Sequence, residues 1–176
     1  MKVFVSGGCK NGKSYFAQSY ARELAQESGG SLYYIATMIP HDEEDRARIR
    51  RHIEDRDGWG FETIEQGTGI GEILDRASAK GTFLLDSVTA LLANEMFDSG
   101  GIHTDAHTRI ADELEYIAGK VANIVFVSDY IYADADEYDE MSSAYRSGLG
   151  YIDRALAKVC DRVIEVAYGQ VLDYKR

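Results

Sequence analysis

The run Gly7-Gly8-Cys9-Lys10-Asn11-Gly12-Lys13-Ser14 fits the pattern G-x-x-x-x-G-K-[ST] at every position. No other feature narrows the fold so far, because the pattern works only between a strand and a helix. Glycines let backbone amides turn inward without a Cβ clash. Those amides and the helix N-terminus then present partial positive charge to phosphate oxygens. The setting is present. The apolar run Val3-Phe4-Val5 precedes the loop, and Phe16, Ala17, Tyr20, Ala21 and Leu24 follow at helical spacing. Lys13 is expected to reach the β and γ phosphates of a nucleoside triphosphate, and the Ser14 hydroxyl to ligate Mg²⁺. A glycine-rich turn with no ligand is the plainer alternative, and the strand–loop–helix order argues against it.

Short β-rich apolar runs at 2–6, 32–37, 82–86, 123–128 and 162–167 alternate with helical patterns at 13–27, 42–55, 70–79, 88–97, 104–118 and 146–159. That alternation predicts βαβ units, and continuous apolar strands predict burial on both faces of a mainly parallel sheet. The expected architecture is α/β: a RecA-like, three-layer P-loop NTPase fold in one domain over 1–176. Residues 170–174, after Gly169, are expected to turn back as an antiparallel C-terminal edge strand. Within 104–118, Ile110, Leu114 and Ile117 form one apolar face, which leaves Asp112, Glu113 and Glu115 to solvent.

Composition excludes several partners. A net charge of −11 disfavours nucleic acid and anionic membrane surfaces, which need a basic footprint. No apolar run approaches the roughly 20 residues of a membrane span, and the N-terminal run suits a first strand better than a signal peptide. The two cysteines, Cys9 and Cys160, form no framework or metal spacing, which fits a reducing cytoplasm. Cys160 follows Leu156 at helical spacing and reads as a small buried hydrophobe.

A second carboxylate usually completes a P-loop metal site. Phe83-Leu84-Leu85-Asp86 offers one at a strand's end, where ligands gather in doubly wound sheets. An Asp86 that caps the helix starting near Val88 is the other reading. The stretch 42–55 is a charged helix with acids leading and bases following, and only Ala47, Ile49 and Ile53 are apolar. It covers little core. Arg48, Arg51 and His52 lie within about one turn and could meet an anion together; a solvated face is the composition-only reading.

Taken together, the order of segments resembles a known family. Gly7 to Ser14, Tyr34-Ile35-Ala36-Thr37, Asp42-Glu43-Glu44 leading to Arg48-Ile49-Arg50-Arg51-His52, and Trp59 with Phe61-Glu62-Thr63-Ile64-Glu65 are similar to the bifunctional adenosylcobinamide kinase / adenosylcobinamide-phosphate guanylyltransferases of cobalamin synthesis. Leu84-Leu85-Asp86-Ser87-Val88-Thr89 and the C-terminal Asp161-Arg162-Val163 continue the likeness, which spans the chain. The resemblance implies phosphorylation of adenosylcobinamide by ATP or GTP, then GMP transfer from GTP to that phosphate. It implies a GMP–histidine intermediate at His52, with Mg²⁺ and Lys13 neutralising the departing pyrophosphate. It also implies nucleotide contacts from Thr37, Arg51 and Glu65, a corrinoid acceptor and a homo-oligomer, possibly a trimer.

One stretch departs from the pattern. Where the family shows Asn-Glu-Val-Gly, then glycines and Val-Pro, this chain reads Asp129-Tyr130-Ile131-Tyr132-Ala133-Asp134-Ala135-Asp136, and a familiar Asn corresponds to Asp153. The acidic, tyrosine-rich span 130–145 is expected as a surface loop where the acceptor approaches, with its tyrosines as decoration or a subunit contact. A small-molecule kinase with no covalent step, and a regulatory nucleotide-binding protein with a degenerate acceptor site, therefore stay open.

Overall fold

The computed structural model describes residues 1–132 and 136–175. Its frame is a seven-stranded sheet in the order β3-β2-β4-β7-β1-β8-β9. The strands are β1 (Lys2–Gly7), β2 (Leu32–Ala36), β3 (Phe61–Glu65), β4 (Thr82–Asp86), β7 (Asn123–Asp129), β8 (Arg162–Ala167) and β9 (Gln170–Lys175). All neighbours run parallel except the β8–β9 hairpin. Tyr168 and Gly169, with φ of 53° and 73°, form the left-handed turn that this hairpin needs. A two-residue antiparallel ladder, β5 (Phe97–Asp98) with β6 (Gly101–Ile102), stands apart from the sheet.

Helices cover both faces, and strand alternation decides which side chain goes where. Val3, Val5, Leu84, Val125 and Val127 pack under α1 (Lys13–Ser28), which meets them with Ala17, Ala21 and Leu24. Phe4, Phe83, Leu85 and Phe126 point the other way. They pack under α4 (Val88–Met96), α5 (Ala106–Lys120) and α6 (Glu140–Val159) through Leu91, Leu114 and Ile152. Each such side chain contributes about 1.5–3 kcal/mol by leaving water. Ile110, Leu114 and Ile117 form the buried face of α5 as expected, while Asp112 and Glu115 are exposed. Cys160 is buried and free.

Four expectations need correction. β3 was not expected as a strand; it is an edge strand with only Ile64 buried, so it lacks the continuous apolar signature of a central strand. The helical pattern at 70–79 shrinks to a 3₁₀ turn, Ile70–Glu72, and the short α3, Ile73–Arg76. α5 starts and ends two residues later than 104–118. The expected loop 130–145 is partly helix. α6 begins at Glu140 because the Asp139 carboxylate accepts from Ser142 N–H at 2.8 Å, and Tyr145 then packs inward. The middle of the departing stretch, 133–135, lies outside the described residues.

Candidate active site

The P-loop joins β1 to α1. Gly12 is left-handed, with φ 87°, and α1 has no side-chain cap, so its first N–H groups stay free for an anion. Gly7 leaves no room for a side chain: a Cβ there would lie 2.5 Å from the Val166 carbonyl oxygen. Asn11 folds back against Gly8, and Cys9 and Lys10 are exposed. Lys13 is buried. It donates to the Gly8 carbonyl at 3.3 Å and forms an ion pair with Asp129, the last residue of β7.

Asp86 ends β4, aligned with Ala36 of β2 and Val127 of β7. Ser87, not Asp86, caps α4, its hydroxyl accepting from Ala90 N–H at 3.2 Å. The capping alternative for Asp86 therefore falls away, and its carboxylate faces the cleft. Tyr34 donates its hydroxyl to Asp86 at 2.9 Å. Burial, and then the Asp86 charge, hold the Tyr34 phenol well above its ordinary value, so it stays a donor. Thr37 is fully buried below this corner. Its hydroxyl donates to the Ser87 carbonyl at 2.8 Å and accepts from Ser87 N–H at 2.7 Å. Asn94 ties the Thr37 and Gly67 carbonyls together at 2.7 and 2.8 Å.

The far wall is α2 (Glu43–Asp55). Asp42 caps it by accepting from Asp45 N–H at 2.8 Å, and acids fill its first turn, matching the helix dipole. No residue of α2 is buried. Two anchors just beyond its end hold it. Arg56 is buried, lies 4.0 Å above the Tyr34 ring, and donates to the His52 carbonyl at 2.7 Å and to Thr63 Oγ1 at 3.1 Å. Trp59 meets α1 edge-on at Tyr15, with ring centroids 5.6 Å apart, and lies under Arg22.

Between these walls opens a cleft of about 330 Å³. From the sheet side it is lined by Lys13, Ser14, Asp86 and Asp129, and from α2 by Arg46, Arg48, Arg50 and His52. Arg56 and Glu65, the latter at the end of β3, also line it. Arg51 is exposed on α2 and is not among the lining residues; Thr37 supports the wall from beneath. Sequence reasoning missed Arg56, Tyr34 and Asp129. In a chain of net charge −11 this concentration of cations makes a local anion site. The Ser14 hydroxyl and the Asp86 carboxylate are hard oxygen donors suited to Mg²⁺. Among the described residues no group of three or more metal-ligating side chains exists. A Mg²⁺ that takes its other oxygens from phosphates and water needs none. No helix among the described residues is long and apolar enough to cross a membrane.

The family described as cobinamide kinase / cobinamide phosphate guanyltransferase matches residues 3–174. A bifunctional adenosylcobalamin biosynthesis protein, CobP of Pseudomonas aeruginosa, is 28% identical over 99% of this chain and 98% of its own length. The protein CobU of Salmonella typhimurium is 24% identical over 96% of this chain and 97% of its own. CobU of Escherichia coli is 32% identical over 57% of this chain and 53% of its own. Among solved structures, the ATPase domain of G40P superposes with a TM-score of 0.55 at 11% identity, covering 93% of this chain and 68% of that one. That likeness establishes the P-loop ATPase fold.

Proposed function

The chain belongs to the cobinamide kinase / cobinamide phosphate guanyltransferase family, and on that premise we propose that one cleft performs both reactions. Adenosylcobinamide is phosphorylated by a nucleoside triphosphate, and GMP then passes from GTP to the new phosphate by way of His52. The observation that carries this reading is that His52, on a helix with no buried residue, lines the same cleft as Lys13 and Ser14.

In the nucleotidyl step an imidazole nitrogen of His52 attacks the α-phosphorus of GTP. The bond to the α–β bridging oxygen breaks, and pyrophosphate leaves with the electron pair. A phosphate oxygen of adenosylcobinamide phosphate then displaces His52, regenerating the free imidazole; one hard transfer becomes two easier ones. Lys13, Arg46 and Arg48 neutralise charge on the phosphates. Ser14 and Asp86 would hold Mg²⁺, which supplies further neutralisation of the phosphate oxygens when bound. Glu65 can accept the adjacent N–H donors of guanine, a pair that adenine lacks. Thr37 keeps the Asp86–Ser87 corner in place. Assembly into a homo-oligomer belongs to the same reading; edge strand β9 leaves Val171, Leu172 and Tyr174 exposed.

The test is incubation with adenosylcobinamide, GTP and Mg²⁺, followed by chromatography of the corrinoids. Wild type should yield adenosylcobinamide phosphate and then its GDP derivative, and Lys13→Ala neither. Nucleotide binding without any modified corrinoid would instead favour a regulatory protein.

A further inference from the structure

Tyr34 lies on β2 opposite Leu84 of β4 and Thr63 of β3, and it is buried. Its ring is held from two directions. Phe61 meets it edge-on, with centroids 5.9 Å apart and planes at 90°, and the Arg56 guanidinium lies 4.0 Å above it. A ring fixed in this way delivers its hydroxyl to one place, Asp86 Oδ2, at 2.9 Å. Thr63, the strand neighbour of Tyr34, accepts from Arg56 at 3.1 Å, and the same guanidinium donates to the His52 carbonyl at 2.7 Å. One side chain therefore touches both the carboxylate that ends β4 and the cation that holds the backbone of His52.

The kind of donor matters. Asp86 is half-buried at a strand's end, in a cleft that also holds Lys13, Arg46, Arg48 and Arg50. A carboxylate with no partner there would be drawn into an ion pair, as Asp129 is with Lys13. A phenol orients the carboxylate without bringing a positive charge that would repel a metal ion. It occupies Oδ2 and leaves Oδ1 for that ion. Hydrogen-bonded partners of this kind fix the direction of metal-ligating carboxylates.

Resting on the roles given above to Asp86 and His52, we infer that Tyr34 is a positioning residue with two ends. Its hydroxyl aims Asp86 at the metal, and its ring seats Arg56. The metal corner and the helix carrying His52 are thus set against each other through one side chain, which takes no part in bond making. Nucleotidyl transfer needs the phosphates and the imidazole in register, since a misplacement of about 1 Å costs about 100-fold in rate. Tyr34 supplies that register before nucleotide arrives.

The experiment measures Mn²⁺ binding from the electron paramagnetic resonance of the free ion, with Mn²⁺ standing in for Mg²⁺. The nucleotide is GTP with a methylene bridge between the α and β phosphorus, which blocks transfer, and excess protein keeps it bound. Wild type, Tyr34→Phe and Asp86→Asn are compared. Tyr34→Phe keeps the ring and loses the hydroxyl. Its Mn²⁺ Kd should rise about 10- to 100-fold, while its nucleotide Kd in EDTA and its α2 amide exchange stay as in wild type. Tyr34→Leu removes the ring as well, and α2 amides should then exchange about 2- to 30-fold faster relative to those of α5. Wild-type Mn²⁺ affinity in Tyr34→Phe beside weakened binding in Asp86→Asn would overturn the role of the hydroxyl. Equal weakening of metal-free nucleotide binding would overturn it too, since Tyr34 would then be a general prop. Unchanged α2 exchange in Tyr34→Leu would overturn the role of the ring. Unchanged Mn²⁺ affinity in both Tyr34→Phe and Asp86→Asn would instead remove Asp86 from the metal site, a failure of the earlier reading that is separable from the others.

Discussion

Arg56→Met removes one of the two anchors that hold the α2 wall in place, and the size of the effect follows from its contacts. The guanidinium makes two hydrogen bonds, to the His52 carbonyl and Thr63 Oγ1, and covers the Tyr34 ring. Hydrogen bonds from a charged donor contribute about 1.5–3 kcal/mol each, and the ring contact about 0.5–2 kcal/mol. Burying the guanidinium offsets part of this, and methionine keeps some of the packing. About 2–4 kcal/mol of α2 docking should remain to be lost. Since α2 itself buries no residue, the loss should appear as local opening and not as global unfolding. At about 1.4 kcal/mol per decade, α2 amides should exchange roughly 30- to 700-fold faster, or reach the unprotected rate. Amides of α1 and β7 should keep their protection. The assay is native-state hydrogen exchange read by mass spectrometry without nucleotide. Unchanged α2 exchange would refute the argument that Arg56 anchors the helix carrying His52.

Thr37→Val keeps shape but strands the Ser87 N–H and carbonyl, both bonded to the threonine hydroxyl. About 2–4 kcal/mol should be lost, seen as a Tm drop of roughly 5–15 °C by calorimetry. Asp153 is raised to about 7, chiefly by burial, with the Tyr132 hydroxyl bond at 2.8 Å acting the other way. Between its unfolded value of 3.8 and 7 the native state binds the extra proton, so stability falls as pH rises through that window. The loss should total about 4 kcal/mol by pH 8 in urea unfolding, and Asp153→Asn should abolish it.

Much of this was legible because local chemistry and tertiary role coincide. The P-loop declares itself in consecutive residues, and β4 and β7 are apolar runs buried on both faces. Asp42 before an acid-led, base-tailed run announces α2. β3 was hidden because an edge strand buries only Ile64 and so carries little hydrophobic pattern. Arg56 looked like one more base in a charged stretch; only the distant Tyr34 ring and Thr63 set it apart from its exposed neighbours. The resemblance implies a nucleotide contact from Thr37, but no local pattern shows that its hydroxyl bonds Ser87, fifty residues away in the chain. The same holds for Asp129, whose meaning lies in Lys13. Long-range pairs leave no periodic trace, so the site's frame could be read from the sequence while its internal wiring could not.

The proposed guanylyl transfer requires one covalent bond at His52. Protein should be incubated with Mg²⁺ and GTP labelled at the α-phosphate, without corrinoid, in wild type and His52→Ala. Acid-labile, alkali-stable label on wild type and none on the variant is the expected result, the signature of a phosphoramidate on that imidazole. Wild type that binds GTP yet takes no label, or His52→Ala that labels equally, would contradict the proposed mechanism.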